Sequence, residues 1–255
     1  MLNALGCKQD PTRSIVEQLP PLPTERPIVL PVSDLGRHDK GLVLPLVLGP
    51  GRTYFASRTS LIGSPERFTW RGTLGTHGVV VITSHGATLT GTIFNGEQVY
   101  RIEKAPGGGG HIRLLPPQTR KIHETDSPPK HGSKPDEKTE VGRIQLLVAY
   151  TKAAKEGCGA LEVHGDEPEP EDAIVGLIHH SVALTNEVAA FTGVNTGFEV
   201  AYTYETDFNE SSGIEEALDA FVSTTDTRMQ EVHTLRSVKK ADIAILMISD
   251  PRNTS

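Results

Sequence analysis

Ten histidines and thirty-two acidic residues give this 255-residue chain material for metal or acid–base chemistry, so their spacing decides what they can do. One arrangement that does hydrolytic zinc chemistry sets two imidazoles one helical turn apart, with a glutamate beside them to take a proton from the bound water. No two histidines here stand four residues apart. The nearest string, His123-Glu124-Thr125-Asp126-Ser127, has serine where the second imidazole belongs, and it lies among prolines that exclude a helix. His179 and His180 are adjacent, hence about 100° apart on a helix, so one is expected to face a sheet and the other solvent. His233 has no partner at ligand spacing, which favours a structural hydrogen bond. Asp242 is expected to cap or to pair with Arg236 rather than to serve as a pocket acid. Gly107–Gly110 lacks the Lys-Ser/Thr and the helix of a phosphate cradle and reads as a flexible loop. No Gly-x-Ser-x-Gly elbow is present. Cys7 and Cys158 have no CxxC or Cys/His cluster around them, and their pairing is left open. The sequence therefore assigns no catalytic, metal-binding or cofactor-binding residue.

The elements that would carry these residues fall into four stretches. Residues 1–65 are proline-rich and irregular, with Pro20, Pro21, Pro23, Pro27 and Pro31 excluding long helices. Within them Ile28–Val32 and Leu42–Leu48 can add strands, and Pro50-Gly51-Arg52 is a turn signal. Residues 66–115 alternate at period two through Arg67–Leu74, His77–Thr83, Thr88–Phe94 and Gln98–Glu103, with His111–Leu115 as a fifth strand. Asn95-Gly96 between two such runs is a hairpin turn, because both residues tolerate positive φ. This predicts an antiparallel meander with one apolar face and a core from Trp70, Val79, Val81, Leu89, Ile93 and Tyr100. Residues 116–141, rich in proline and charge, form a linker and the main domain boundary.

From residue 142 strands alternate with helices. Arg143–Tyr150 is the near-continuous apolar run of a strand covered on both faces. Glu169, Glu171 and Asp172 crowd the start of a helix over Glu171–Phe191, with a packing face of Ile174, Leu177, Ile178, Ser181, Leu184 and Val188. Gly193 stops it. Phe198, Val200 and Tyr202 alternate as a strand. Ser212-Gly-Ile-Glu215 reads as a capping box ahead of Ile214, Ala217, Leu218 and Phe221. Met229, Val232 and Leu235 mark another helix, and Ile243–Ile248 another buried strand. The expected class is α/β, a mostly parallel sheet with helices over 142–255, preceded by the β-meander.

Bulk properties narrow the function. An apolar fraction of 36%, aromatics at 5%, 25 glycines and 18 prolines suit one large or two small domains with much loop. A net charge of −7 argues against a nucleic-acid partner. No sequence run approaches the roughly 20 apolar residues of a membrane span. No export signal is visible, and the apolar stretch before Cys7 is too short for one.

Several segments carry a family likeness. Ile144-Gln-Leu-Leu-Val-Ala-Tyr-Thr-Lys-Ala-Ala154 resembles the first strand of metzincin-type zinc endopeptidases, in particular the bacterial peptidyl-Asp metalloendopeptidases. Ile178-His-His-Ser-Val-Ala-Leu-Thr-Asn186 is similar to their first helix. Asp226–Arg236 followed by Lys240–Leu246 resembles the approach to their third strand. Phe68–Leu74, Gly91–Phe94 and Tyr100–Ile102 resemble the β-rich propeptide of these secreted precursors. The likeness covers about residues 66–250 and implies a metzincin-like half-domain over 142–255 behind a propeptide-like domain over 66–115. It also implies zinc, peptide-bond hydrolysis, protein or peptide substrates, and a secreted or periplasmic location.

Family catalysis rests on HExxHxxGxxH, which does not occur in this sequence. The chain is therefore expected to be a truncated precursor that binds no zinc and is inactive alone. Some metzincin propeptides block zinc with a cysteine, but Cys7 lacks the local motif and reads as a bystander. The alternative is a non-catalytic, propeptide-like binding protein, either a protease inhibitor or a folding aid.

Overall fold

The computed structural model describes residues 27–28, 35–36, 43–49, 52–76, 78–86, 88–104, 110–115, 142–160, 170–210 and 213–249. Period-two alternation becomes an antiparallel sheet of β1 (Pro27–Ile28), β2 (Val43–Gly49), β3 (Arg52–Ser64), β4 (Arg67–Leu74), β5 (Gly78–His85), β6 (Thr88–Phe94), β7 (Val99–Lys104) and β8 (Gly110–Leu114). Its order is β1-β8-β7-β6-β5-β4-β3-β2. Asn95-Gly96 makes the expected turn. The Asn95 side-chain oxygen accepts from the Glu97 and Gln98 amides at 3.0 and 2.8 Å, and Gly96 has φ 96°.

Leu44 and Leu46 of β2 share one buried cluster with Tyr100 and Ile102 of β7, although five strand positions separate them. Only a sheet that rolls on itself brings them together, giving a half-barrel with Trp70, Phe68, Val80, Ile82, Leu89 and Ile93 inside. Trp70 is fully buried, and its indole N–H has no hydrogen-bond partner. The expected core is corrected at two positions. Val80 and Ile82 line this cluster, Val81 is buried on the opposite face, and Val79 is half-buried.

The sheet also reaches upstream of residue 66 through β2 and the 13-residue β3. Period two fails in β3 because a register shift between Arg58 and Ser60 inserts one residue. Tyr54 and Ala56 lie on the core side before it and Leu61 after it, so even positions give way to odd.

The second sheet is parallel, with β9 (Gly142–Thr151) between β10 (Thr196–Thr206) and β11 (Ile243–Met247). Among the described residues four helices join these strands: α1 (Lys152–Ala160), α2 (Pro170–Phe191), α3 (Ile214–Val222) and α4 (Gln230–Val238). Both faces of β9 are covered, as its apolar run requires. Leu146, Val148 and Tyr150 pack on α1 and α2, while Leu147 and Ala149 pack with Ala217 and Ala220 of α3 and Val232 of α4. The chain thus combines helices with an antiparallel half-barrel and a parallel sheet, which is α/β in outline.

Two helix expectations need correction. The α3 N-cap is Gly213, at φ 93°, with no side-chain cap bond, so Glu215 is not the third helical residue of a Ser212 box; Ser212 lies outside the described residues. On α2 the buried stripe differs from the expected one, since Ser181 and Val188 are exposed. The reason is that α2 lies between two sheets. Ile174, Val175 and Ile178 meet the parallel sheet, while Asp172, Gly176, His180 and Glu187 meet the half-barrel. By length and composition α2 could also cross a membrane; in this structure it lies between the two sheets. It ends as expected at Gly193, φ 75°, where the Val194 amide bonds the Ala189 carbonyl at 2.8 Å.

Candidate functional site

The chemistry-bearing side chains of the described residues gather at two places. The first is the seam between α2 and the outer face of the half-barrel. Successive strand residues point to opposite faces, so the positions that alternate with the core present Arg71, Val81, Thr83, His85, Thr88, Thr90 and Thr92 to the helix. Gly176 permits close approach: a Cβ there would lie 2.9 Å from Thr88 Oγ1. The same hydroxyl donates to the His85 carbonyl at 2.6 Å and to the Asp172 carbonyl at 3.3 Å.

One turn further along, His180 is buried with both ring nitrogens engaged. Nδ1 lies 3.2 Å from Thr83 Oγ1 and Nε2 lies 2.9 Å from Thr92 Oγ1. Burial, reinforced by the Arg101 charge, pushes its pKa down to about 4, so the ring is neutral, with one nitrogen donating and the other accepting.

His85 Nε2 is 3.8 Å from Asp172 Oδ1, and its ring centre is 5.9 Å from that of His179. Burial first, then Arg67, lowers the His85 pKa against the opposing pull of Asp172. Burial, then His85 and Arg67, lowers that of His179. Arg71 on β4 closes the seam on Glu187 at 3.1 Å. Beside it a cleft of about 820 Å³ is lined in part by Arg71, Arg143, His179, Asn186, Phe198 and Glu199.

The second place is the carboxyl edge of the parallel sheet. The Glu210 carboxylate accepts from the Ser249 amide (2.9 and 3.1 Å), the Ser249 hydroxyl (2.6 Å) and the Thr151 hydroxyl. It thereby ties the end of β9 to the residues after β11. Lys155 pairs with Glu205 alongside, and this hydrogen bond raises the lysine pKa. Tyr150 is pushed up to about 12, chiefly by burial and then by Glu171 and Glu205. A hollow of about 480 Å³ opens nearby, with Tyr204, Asp207, Arg228 and Glu231 among its walls.

The residues singled out from sequence are dispersed. His180 faces a sheet and His179 is the more exposed of the two, as their spacing implies, but the sheet is the antiparallel one and the His179 ring leans back towards His85. His233 does not make the expected hydrogen bond: its buried Nε2 has no partner, and its ring lies against Phe221 at 6.5 Å. Asp242 does not pair with Arg236 through its carboxylate. Its Oδ2 accepts from the Gln145 amide at 2.8 Å, and Arg236 donates instead to the Asp242 carbonyl at 2.6 Å. Cys158 borders the core beneath α1 and α2. Cys7, the His123–Ser127 string and Gly107–Gly109 lie outside the described residues, while Gly110 opens β8.

Among the described residues no three His, Cys, Asp or Glu side chains are arranged to hold a metal ion, and both nitrogens of His180 are spent on threonines. These donors do not fit a zinc site. Sequence reasoning missed His85, Asp172, Glu187 and Glu210. The available signal was the threonine alternation at 88, 90 and 92, a polar strand face with few charges that suits a covering element better than open water.

The chain matches no protein-family model. It is 23% identical over 185 residues to a peptidyl-Asp metalloendopeptidase of Stenotrophomonas maltophilia strain K279a, covering 67% of this chain and 40% of that protein. With the protein of the same name in strain R551-3 it is 24% identical over 187 residues, with the same coverage. These matches relate the chain distantly to metallopeptidases. The matched region spans well under half the length of these relatives.

Proposed function

We propose that this chain is the forepart of a secreted or periplasmic zinc endopeptidase precursor of metzincin type. In this reading the half-barrel is a propeptide-like cover and 142–255 is the leading half of a catalytic domain acting on peptides. The observation that carries the reading is the strand order β10-β9-β11, with α1 and α2 on one face and α3 and α4 on the other. The distant metalloendopeptidase relatives support it. The zinc ligands and the glutamate that activates water would come from HExxHxxGxxH, which these 255 residues do not contain. On this reading the 255 residues by themselves are expected to hydrolyse no peptide.

The purified chain, given equimolar zinc and an unstructured protein substrate, is expected to show no cleavage above buffer. Stoichiometric zinc binding together with turnover would overturn the inactivity. Reading the gene past codon 255 tests the family half of the proposal: an HExxHxxGxxH string supports it, and its absence in every frame removes the support.

A non-catalytic binding role is favoured by one observation, the half-barrel's own closed core around Trp70. A protein of that kind would inhibit a peptidyl-Asp metalloendopeptidase in trans, or raise its refolding yield.

A further inference from the structure

We infer that the seam between α2 and the half-barrel is an acid-opened latch: proton uptake by His180 between Thr83 and Thr92, joined by His85 and His179, releases the helix from the sheet. This rests on the seam's geometry, supported by the direction in which burial moves the three histidines, and needs no assumption about catalysis.

The latch follows from what surrounds the three rings. His180 is 4% exposed, and its polar neighbours are the two threonine hydroxyls at 3.2 and 2.9 Å. A neutral imidazole satisfies both, one nitrogen giving a proton and the other receiving one. A protonated ring must donate at both ends, so one threonine turns its lone pair inward and its own proton loses that acceptor. The new charge also has the wrong company. Arg101 of β7 opposes a charge on His180, Arg67 of β4 opposes one on His85 and on His179, and His85 of β5 opposes one on His179.

Two carboxylates of α2 face this seam. Glu187 is bound to Arg71 at 3.1 Å, and Asp172 lies 3.8 Å from His85. Asp172 favours the charged His85, yet burial and Arg67 outweigh it, so protons disfavour docking at all three rings. Glu171, also on α2, acts on Tyr150 of β9 in the parallel sheet.

The sign follows from linkage. The released histidine has its ordinary value of 6.5, while the docked His180 sits at about 4. The released state therefore binds more protons across that interval, and docking is intact above it and lost as pH falls through it. A gap of 6.5 − 4 corresponds to a docking constant lowered on the order of 100-fold between pH 7 and pH 4 by His180 alone.

The experiment is amide hydrogen exchange of the whole chain from pH 7.5 to 4.0, corrected for intrinsic rates, with the His180 imidazole followed by NMR. The NMR contacts of Gly176 with Thr88 and His85 are expected to be lost as docking weakens by a factor on the order of 100, while amide protection in β5, β6 and β9 persists, because those amides are bonded within their own sheets. His180→Gln supplies a neutral donor and acceptor and is expected to retain the Gly176 contacts with Thr88 and His85 to at least one pH unit lower. The proposal is overturned if the Gly176 contacts with Thr88 and His85 persist to pH 4, if β5, β6 and β9 lose amide protection together with them, or if His180 titrates near 6.5 in the docked chain. It is overturned equally if His180→Gln opens at the wild-type midpoint. Should that variant not fold, the wild-type titration and exchange decide alone.

Discussion

Asn186 holds α2 to β10 with both ends of one amide. Its Nδ2 donates to the Phe198 carbonyl at 2.9 Å, and its Oδ1 accepts from the Phe198 amide at 2.7 Å. Removing both bonds leaves two half-buried backbone groups without partners, so Asn186→Ala is expected to cost about 1–3 kcal/mol in a urea melt at pH 7. Tyrosines provide a second expectation. Tyr150 and Tyr204 are both pushed up to about 12, by burial first in each case, with the Glu231 hydrogen bond next for Tyr204. Because the folded values lie above the ordinary 10, their contribution to stability is complete below pH 10 and lost as pH rises towards 12. A phenolate absorbance titration should show a late component that disappears in denaturant. At this scale the sequence was a poor guide. The spacing of His179 and His180 foretold opposed directions, but nothing local told that His180 would end between Thr83 and Thr92, about ninety positions upstream.

Strands and helices of the parallel sheet were much more legible. The run at β9 and the breaks at Gly193 and Asn95-Gly96 are local signals with local causes, and they are realised. What escaped was set by tertiary contact. β3 hid because its inserted residue switches the parity of the core side. The packing face of α2 was misjudged because hydrophobic periodicity marks only the side on the parallel sheet, whereas the other side is polar and meets polar strands. Gly176 makes that second contact possible, so adding bulk there tests the element. Gly176→Leu gains helix propensity of up to about 1 kcal/mol yet forces side-chain atoms into Thr88 and His85. The variant is expected to keep its helix by far-ultraviolet circular dichroism while the NMR contacts of α2 with Thr88 and His85 are lost.

At the scale of the molecule the described residues form two sheets sharing one helix, and α2 is the shared part. Its contacts reach β5 and β6 on one side and the parallel sheet on the other. Damage inside the half-barrel should therefore propagate. Trp70→Ala removes the largest buried side chain of that core and is expected to cost about 3–5 kcal/mol. At pH 7 its melt should remain a single transition for both sheets, measured as coincident loss of exchange protection in β5 and β9. Two separate transitions at that pH would contradict the sharing.

Trp70 has one more consequence. It is the sole tryptophan of the chain, and its indole N–H sits in the middle of the rolled sheet without a partner. Such a ring is an optical reporter already in place. Its emission stays at short wavelength while the half-barrel excludes water and moves to the red only when that sheet opens. Release of α2 at the outer face would leave the colour unchanged, so fluorescence alone separates an unlatched molecule from an unfolded one.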